Sequence, residues 1–142
     1  MKDIFYYQDL IKAMEAWMDS EDQTINDAEY MKKEADSPFV KMTMEMLIRD
    51  AEKHKIIQQM VIDSLTKEAV HLTPDEYAPL KEVLNTHIVE ETESLMRVVA
   101  TLDKKEPRIT RYLLSYLGAD EAGDRELVGK LNELKLTTIQ IS

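Results

Sequence analysis

Acidic and imidazole side chains recur in the middle of four long amphipathic segments, and these residue types could bind a metal ion. Carboxylate oxygens combined with imidazole nitrogens suit iron, manganese or zinc. If they face the interior, each unpartnered carboxylate carries a large desolvation cost, which a bound metal ion would offset. The predicted ligands, with the choice between Glu90 and Glu91 left open, are Glu21, Asp50, His54, His87, Glu90, Glu91, Glu121 and Asp124.

Two other readings of the polar positions stay open. The layer could hold water instead of a metal, or the helical phase could be offset by one position, so that the acids face solvent. His71 stands beside a predicted helix start and is expected to be a loop or helix-end histidine. The tyrosines and Trp17 lie near apolar stripes and are expected to serve in packing.

Composition excludes several other kinds of site. The chain has no cysteine, which rules out disulfides, thiolate nucleophiles, iron–sulfur clusters and cysteine-ligated zinc. A formal net charge of −10 argues against binding to nucleic acid or to an anionic membrane. Because no apolar run approaches the ~20 residues of a membrane span and no signal-peptide pattern appears, we expect a cytoplasmic protein.

Three interruptions divide the chain into the elements that must position these residues. In "ADSPF" (35–39), Ser37 is a predicted N-cap and Pro38 the first helical residue. In "HLTPDEY" (71–77), Thr73 and Pro74 repeat this arrangement, with Glu76 completing a capping box. The third interruption is "KKEPRIT" (104–110). Apolar residues recur every three or four positions between them, which predicts helices over about 3–35, 38–70, 74–104 and 107–136.

Four helices of similar length joined by short loops predict an all-α fold, an antiparallel up-down four-helix bundle forming one domain over 1–142. The alternative is a three-helix core with a broken fourth helix, because Gly118 could end a helix and Asp124 could cap a new one. An apolar stripe that runs through the glycines favours one continuous helix. The tail "TTIQIS" is predicted to fray or to pack irregularly.

Counting residues from the loops places the polar positions at one height of the bundle. Glu21 lies 16 residues before Ser37, and His54 lies 17 residues after it. At a rise of ~1.5 Å per residue, the two therefore face each other within about a turn. No Lys or Arg falls on the apolar stripes at this level. The same count across the other loops brings to this height His87, Glu91 and Glu121.

This layout resembles the ferritin-like superfamily, most closely its rubrerythrin-like branch. In that family, helices 1 and 3 each supply a Glu, and helices 2 and 4 each supply Glu-x-x-His. Here "LIRDAEKHKII" resembles the second-helix motif with His54 at the His position, and "HIVEE" resembles the third-helix acidic element. "DEAGDRELVGKL" resembles the fourth-helix motif with Glu121 as its Glu, and Glu21 fits the first-helix position.

Two positions depart from the family pattern. Ala51 stands where the second helix should carry Glu, unless Asp50 replaces it, and Asp124 stands where His belongs. A rearranged or single-metal site is therefore predicted in place of a symmetric di-iron centre. The resemblance implies an iron- or manganese-dependent oxidoreductase acting on oxygen or peroxide. The ligand types themselves also suit zinc. The alternative is a non-enzymatic bundle with a degenerate site, used for self-assembly or partner binding, and a homo-oligomer is compatible with both.

Overall fold

A computed structural model of the protein describes the backbone of residues 4–67 and 72–141 and the side chains of 7–67, 72–131 and 133. Within these residues every regular element is an α-helix, which confirms the all-α fold class. Within them, too, no helix has the length and apolar character needed to cross a bilayer. The helices are α1 (Ile4–Glu34), α2 (Pro38–Thr66), α3 (Pro74–Thr101) and α4 (Arg108–Ile141).

The predicted caps fix two of the helix starts. The Ser37 side chain accepts a hydrogen bond from the backbone N–H of Val40 at the start of α2. At the start of α3, the Thr73 hydroxyl oxygen accepts from the backbone N–H of Glu76 at 3.3 Å, and its O–H donates to the Glu76 carboxylate at 2.9 Å. Each cap satisfies a backbone donor that has no partner inside the helix. Both N-caps confirm the sequence prediction, whereas the Glu76 carboxylate accepts from the Thr73 hydroxyl, which differs from the backbone N–H that a capping box uses.

The helix ends differ from the predictions at three places. Helix α2 ends at Thr66 and not at residue 70, since Lys67 already has an extended backbone. Helix α3 ends at Thr101, and Lys104 beyond it adopts a left-handed backbone with φ of 71°. The prediction of an irregular tail is wrong, because α4 continues to Ile141. Each residue added to a formed helix gains a hydrogen bond, and no Gly or Pro follows Gly129 to stop this propagation.

Helix α4 is continuous through its glycines. It runs unbroken from Arg108 to Ile141, which confirms the continuous helix and excludes the break at Gly118. A side chain at Gly123 would meet nothing within 4 Å, and one at Gly118 would meet only the Leu95 side chain, at 4.0 Å. Neither glycine is therefore required by close packing, and each costs the helix only about 1 kcal/mol relative to alanine.

Consecutive helices pair, as in an up-down four-helix bundle: α1 packs against α2, and α3 packs against α4. The chain divides into two compact units, Met1–Val70 and His71–Ser142, so that each unit is a helical hairpin. We call them the first hairpin and the second hairpin. His71, the predicted loop histidine, lies outside the described residues.

The seam between α1 and α2 is narrow and is built from small or flexible side chains. Its buried members among the described residues are Ala28, Ile48, Ala51 and Gln58. The three-and-four spacing of apolar residues in the sequence predicts core positions at Ala28, Leu47 and Ala51. Ala28 and Ala51 are buried, whereas Leu47 is 41% exposed and its neighbour Ile48 is buried in its place. Two helices cover only a strip of each other's surface, so that predicted core residues beside the strip remain accessible.

Candidate functional site

Glu21 and His54 meet across the seam of the first hairpin, as their distances from Ser37 predicted. The Glu21 Oε2 atom lies 3.3 Å from His54 Nδ1. The Trp17 indole N–H donates to Glu21 Oε1 at 3.2 Å, so both carboxylate oxygens are engaged. The Glu21 side chain is mostly covered, and the His54 side chain is about half exposed. Asp50 lies one turn before His54 and is half-buried.

The polar residues predicted on α3 and α4 are more dispersed. His87 Nδ1 lies 4.0 Å from Glu91 Oε1 one turn along α3, and both side chains are about half exposed. Glu90 and Asp124 are exposed. Neither of the two candidate third-helix glutamates is therefore buried in the second hairpin.

Glu121 is the buried carboxylate of the second hairpin, with 6% of its surface exposed. The Thr92 hydroxyl donates to Glu121 Oε1 at 2.7 Å, and the Arg125 guanidinium donates to the same atom at 2.6 Å. The Thr92 hydrogen bond, followed by the Arg125 hydrogen bond, lowers the pKa of Glu121 below its ordinary value. The sequence places no Lys or Arg on the apolar stripes at this level, but Arg125 lies beside the stripe and compensates Glu121 from the next turn of α4.

Sequence reasoning missed Thr92 and Arg125 because it considered only residues on the apolar stripes. Arg125 lies four residues after Glu121, the spacing of a helical ion pair. Its long side chain reaches the buried carboxylate although 57% of that side chain is exposed. Thr92 lies 14 residues before Glu106 and Glu121 lies 15 after it, so the same loop count would have found this contact.

The candidate ligands thus form separate small groups within each hairpin. Glu21 contacts His54, and His87 lies near Glu91. Glu121 accepts hydrogen bonds from Thr92 and Arg125. Among the described residues, no three His, Asp or Glu side chains form a cluster that could hold a metal ion. The layer shared by all five mid-height residues stays a prediction.

A row of apolar residues with a polar residue at its centre borders the Glu21–His54 contact on each helix. Residues seven apart lie on the same side of a helix, since seven residues are close to two turns. On α1 this row is Trp17, Thr24 and Met31, and on α2 it is Leu47, His54 and Val61. Trp17 and Met31 are each 51% exposed. We call these six residues the first face.

The other side of the first hairpin is charged. Lys32 pairs with Glu45 at 2.6 Å, and Lys55 pairs with Asp22, in both cases across the seam between α1 and α2. The first face lacks such cross-helix Lys–acid pairs among its six residues. The hairpin therefore has a solvated side and a side whose apolar area is not covered by its own two helices.

The second hairpin has a matching arrangement. Thr92 and Arg125 meet on one side of its seam, at 3.3 Å. Glu91 and Asp124 immediately precede these residues, 100° around each helix, and lie toward the opposite side. Residues seven positions away from them are apolar. We define the second face as Leu84, Glu91 and Val98 of α3 with Leu117, Asp124 and Leu131 of α4.

The second face is also accessible. Leu117 is 59% exposed and Val98 is 40% exposed, although the apolar spacing of the sequence predicts both as core residues. The buried residues described in this hairpin are Tyr77 and Glu121. Both hairpins thus present an apolar–polar–apolar surface and bury few side chains among their described residues.

Comparison with known proteins gives no relative from which a function could be transferred. No family model, no curated protein and no solved structure matches the chain.

Proposed function

We propose that this protein is a helical self-assembly module, in which the first and second faces are covered by helices of another copy. The observation that carries this proposal is the exposure of large apolar side chains in rows that continue along each hairpin. A helix with an apolar stripe must bury that stripe against a further layer to form a stable domain. Two helices with so few buried side chains do not supply that layer by themselves.

The composition of the faces supports self-assembly in preference to an unrelated partner. The chain carries two surfaces with the same order of apolar, polar and apolar residues, and so contains a complement for each. Large exposed apolar patches on soluble proteins mark interaction sites. Their aromatic and methionine content, represented by Trp17 and Met31, is typical of the centres of protein interfaces.

Trp17 provides a direct test, because it is the chain's one tryptophan and lies on the first face. We expect acrylamide to quench its fluorescence weakly in concentrated protein and strongly after dilution, since dissociation uncovers the indole. The variant Leu47→Glu places a charge on the same face and should give strong quenching at every concentration. Ile56→Glu is the matched control, because Ile56 is 71% exposed and lies about 200° around α2 from His54. Strong quenching of the unmodified protein at all concentrations would contradict self-assembly.

Metal binding is a second proposed function, and the Glu21–His54 contact favours it. One carboxylate and one imidazole on adjacent helices are two of the ligands that iron, manganese or zinc would use. The imidazole must be neutral to bind a metal ion, so the affinity should fall on acidification. Calorimetric titration of metal-stripped protein with Fe(II), Mn(II) and Zn(II) tests this proposal. Equal binding by the parent and by His54→Ala would eliminate the pair as a site.

A further inference from the structure

We propose that a cavity at the turn of the first hairpin binds a nucleoside phosphate. The cavity has a volume of about 520 Å³, which lies within the ~300–1,000 Å³ usual for small-molecule sites. The described side chains that line it are those of Glu29, Tyr30, Lys32, Lys33 and Lys41. No residue of the first face is among them, so this inference does not depend on the proposed self-assembly.

Three of the five lining side chains carry an ammonium group. Among the lining side chains, only the Glu29 carboxylate opposes this positive charge, although the chain as a whole has a net charge of −10. The acids nearest the turn in sequence, Glu34 and Asp36, do not line the cavity. A concave surface with a local excess of positive charge attracts anions.

Two of the ammonium groups are held in place by neighbouring oxygen atoms. Lys32 Nζ donates to Glu45 Oε2 at 2.6 Å, and Lys41 Nζ donates to the backbone carbonyl oxygen of Lys32 at 3.0 Å. The hydrogen bond to Glu45 raises the pKa of Lys32, so this group stays charged. An ammonium group has three donors, so Lys32 and Lys41 each keep two for a ligand. Lys33 is exposed and has no hydrogen-bond or ion-pair partner among the residues that the structure describes.

The other two lining side chains favour a nucleoside phosphate over a simple anion. Tyr30 is 70% exposed, and its ring offers a flat surface on which a base can stack. The Glu29 carboxylate repels a free phosphate ion but can accept hydrogen bonds from the hydroxyl groups of a ribose. The phosphate, the ribose and the base therefore each have a side chain of matching chemistry in one cavity.

Calorimetric titration with ADP, pyrophosphate and adenosine, in magnesium-free buffer of low ionic strength, tests this site. We expect ADP to bind with a dissociation constant below about 1 mM. It should bind more tightly than pyrophosphate or adenosine, because only ADP engages both the lysines and Tyr30. Lys33→Gln should weaken ADP binding about tenfold, since it removes one charge-assisted hydrogen bond. Tyr30→Ala should weaken the binding of ADP but not that of pyrophosphate.

Lys53→Gln is the matched control. Lys53 is exposed on α2 and does not line the cavity, so this variant removes the same charge from the chain and should bind ADP as the parent does. Equal weakening by Lys33→Gln and Lys53→Gln would overturn the site, because it would show attraction to the whole chain. Far-UV circular dichroism verifies that both variants remain helical.

Two results with the parent would also contradict the proposal. Pyrophosphate that binds as tightly as ADP would overturn the nucleoside assignment. Failure of the parent to bind ADP would overturn the site itself, and the lysines would then serve only the C-terminal end of α1, where positive side chains are favourable.

Discussion

Replacing Gln58 by methionine is expected to stabilise the first hairpin. Gln58 is 3% exposed, and neither its amide nitrogen nor its amide oxygen has a hydrogen-bond partner among the residues that the structure describes. A buried polar group without a partner costs about 1–3 kcal/mol, and an apolar side chain of similar shape removes that cost. Methionine matches the length of glutamine and adapts to irregular gaps. We therefore expect Gln58→Met to raise the free energy of unfolding by about 1–3 kcal/mol.

Urea unfolding followed by Trp17 fluorescence measures this effect, because the tryptophan reports on the same hairpin. The parent and the variant are compared at one protein concentration, since assembly also contributes to stability. The control is Gln59→Met, because Gln59 is exposed and donates to Asp63 at 3.1 Å. A surface change of this kind should alter stability by at most about 0.5 kcal/mol. A Gln58→Met protein that unfolds at lower urea than the parent would refute the reasoning, since it would mean that the amide has a partner.

Three further predictions concern the second hairpin. The pKa of Glu121 is lowered in the folded protein, so the stabilisation that its charge gives the fold is complete above the unfolded pKa and is lost as the pH falls through the folded pKa. Glu121→Gln should therefore melt several degrees below the parent near neutral pH. On acidification, the melting curves of the variant and the parent should converge. Lys104→Gly should raise the free energy of unfolding, measured in urea, by about 0.5–1 kcal/mol, because glycine adopts the left-handed backbone without strain. The control Lys105→Gly should give no such gain. Thr73→Ala should lower stability by about 1 kcal/mol through loss of the α3 cap, with Thr73→Ser retaining most of it; equal stability of the Ala and Ser variants would contradict the capping role.

The sequence predicts helix starts better than helix ends. Ser37–Pro38 and Thr73–Pro74 specify starts through local hydrogen bonds and a fixed proline backbone, and both are confirmed. The end of α3 has no such signal, because the left-handed position after the helix is occupied by Lys104 and not by glycine. Helix α4 is longer than the sequence predicts, because the β-branched residues near its end weaken a helix without terminating it.

The residues that lie at the centre of the seam between α1 and α2 were harder to predict than the helices themselves. Leu47 and Ile48 are both apolar and adjacent, and the periodicity of α2 alone permits either at the centre of the seam. Which of the two is buried depends on how α1 packs against α2, and the sequence of α2 alone does not determine that. The contact between Glu21 and His54 was nevertheless predictable, because a count from Ser37 fixes the height and both side chains border the seam.

The compensation of Glu121 depended on residues outside the apolar pattern. From its position outside the apolar stripe, Arg125 is predicted to be solvent-exposed, and only the length of its side chain lets it reach the buried Glu121 carboxylate. Thr92 reads as a neutral polar residue with no chemical signal of its own. Mid-helix acids in an amphipathic pattern should therefore be checked for basic residues one turn away before a metal is inferred.

Sedimentation equilibrium of the unmodified protein over a wide concentration range tests self-assembly most directly. The chain mass is 16.5 kDa. If the first and second faces are covered by a second copy, the fitted mass should be twice this value in concentrated protein and should fall toward the chain mass on dilution. A fitted mass equal to that of one chain at every concentration would contradict the account.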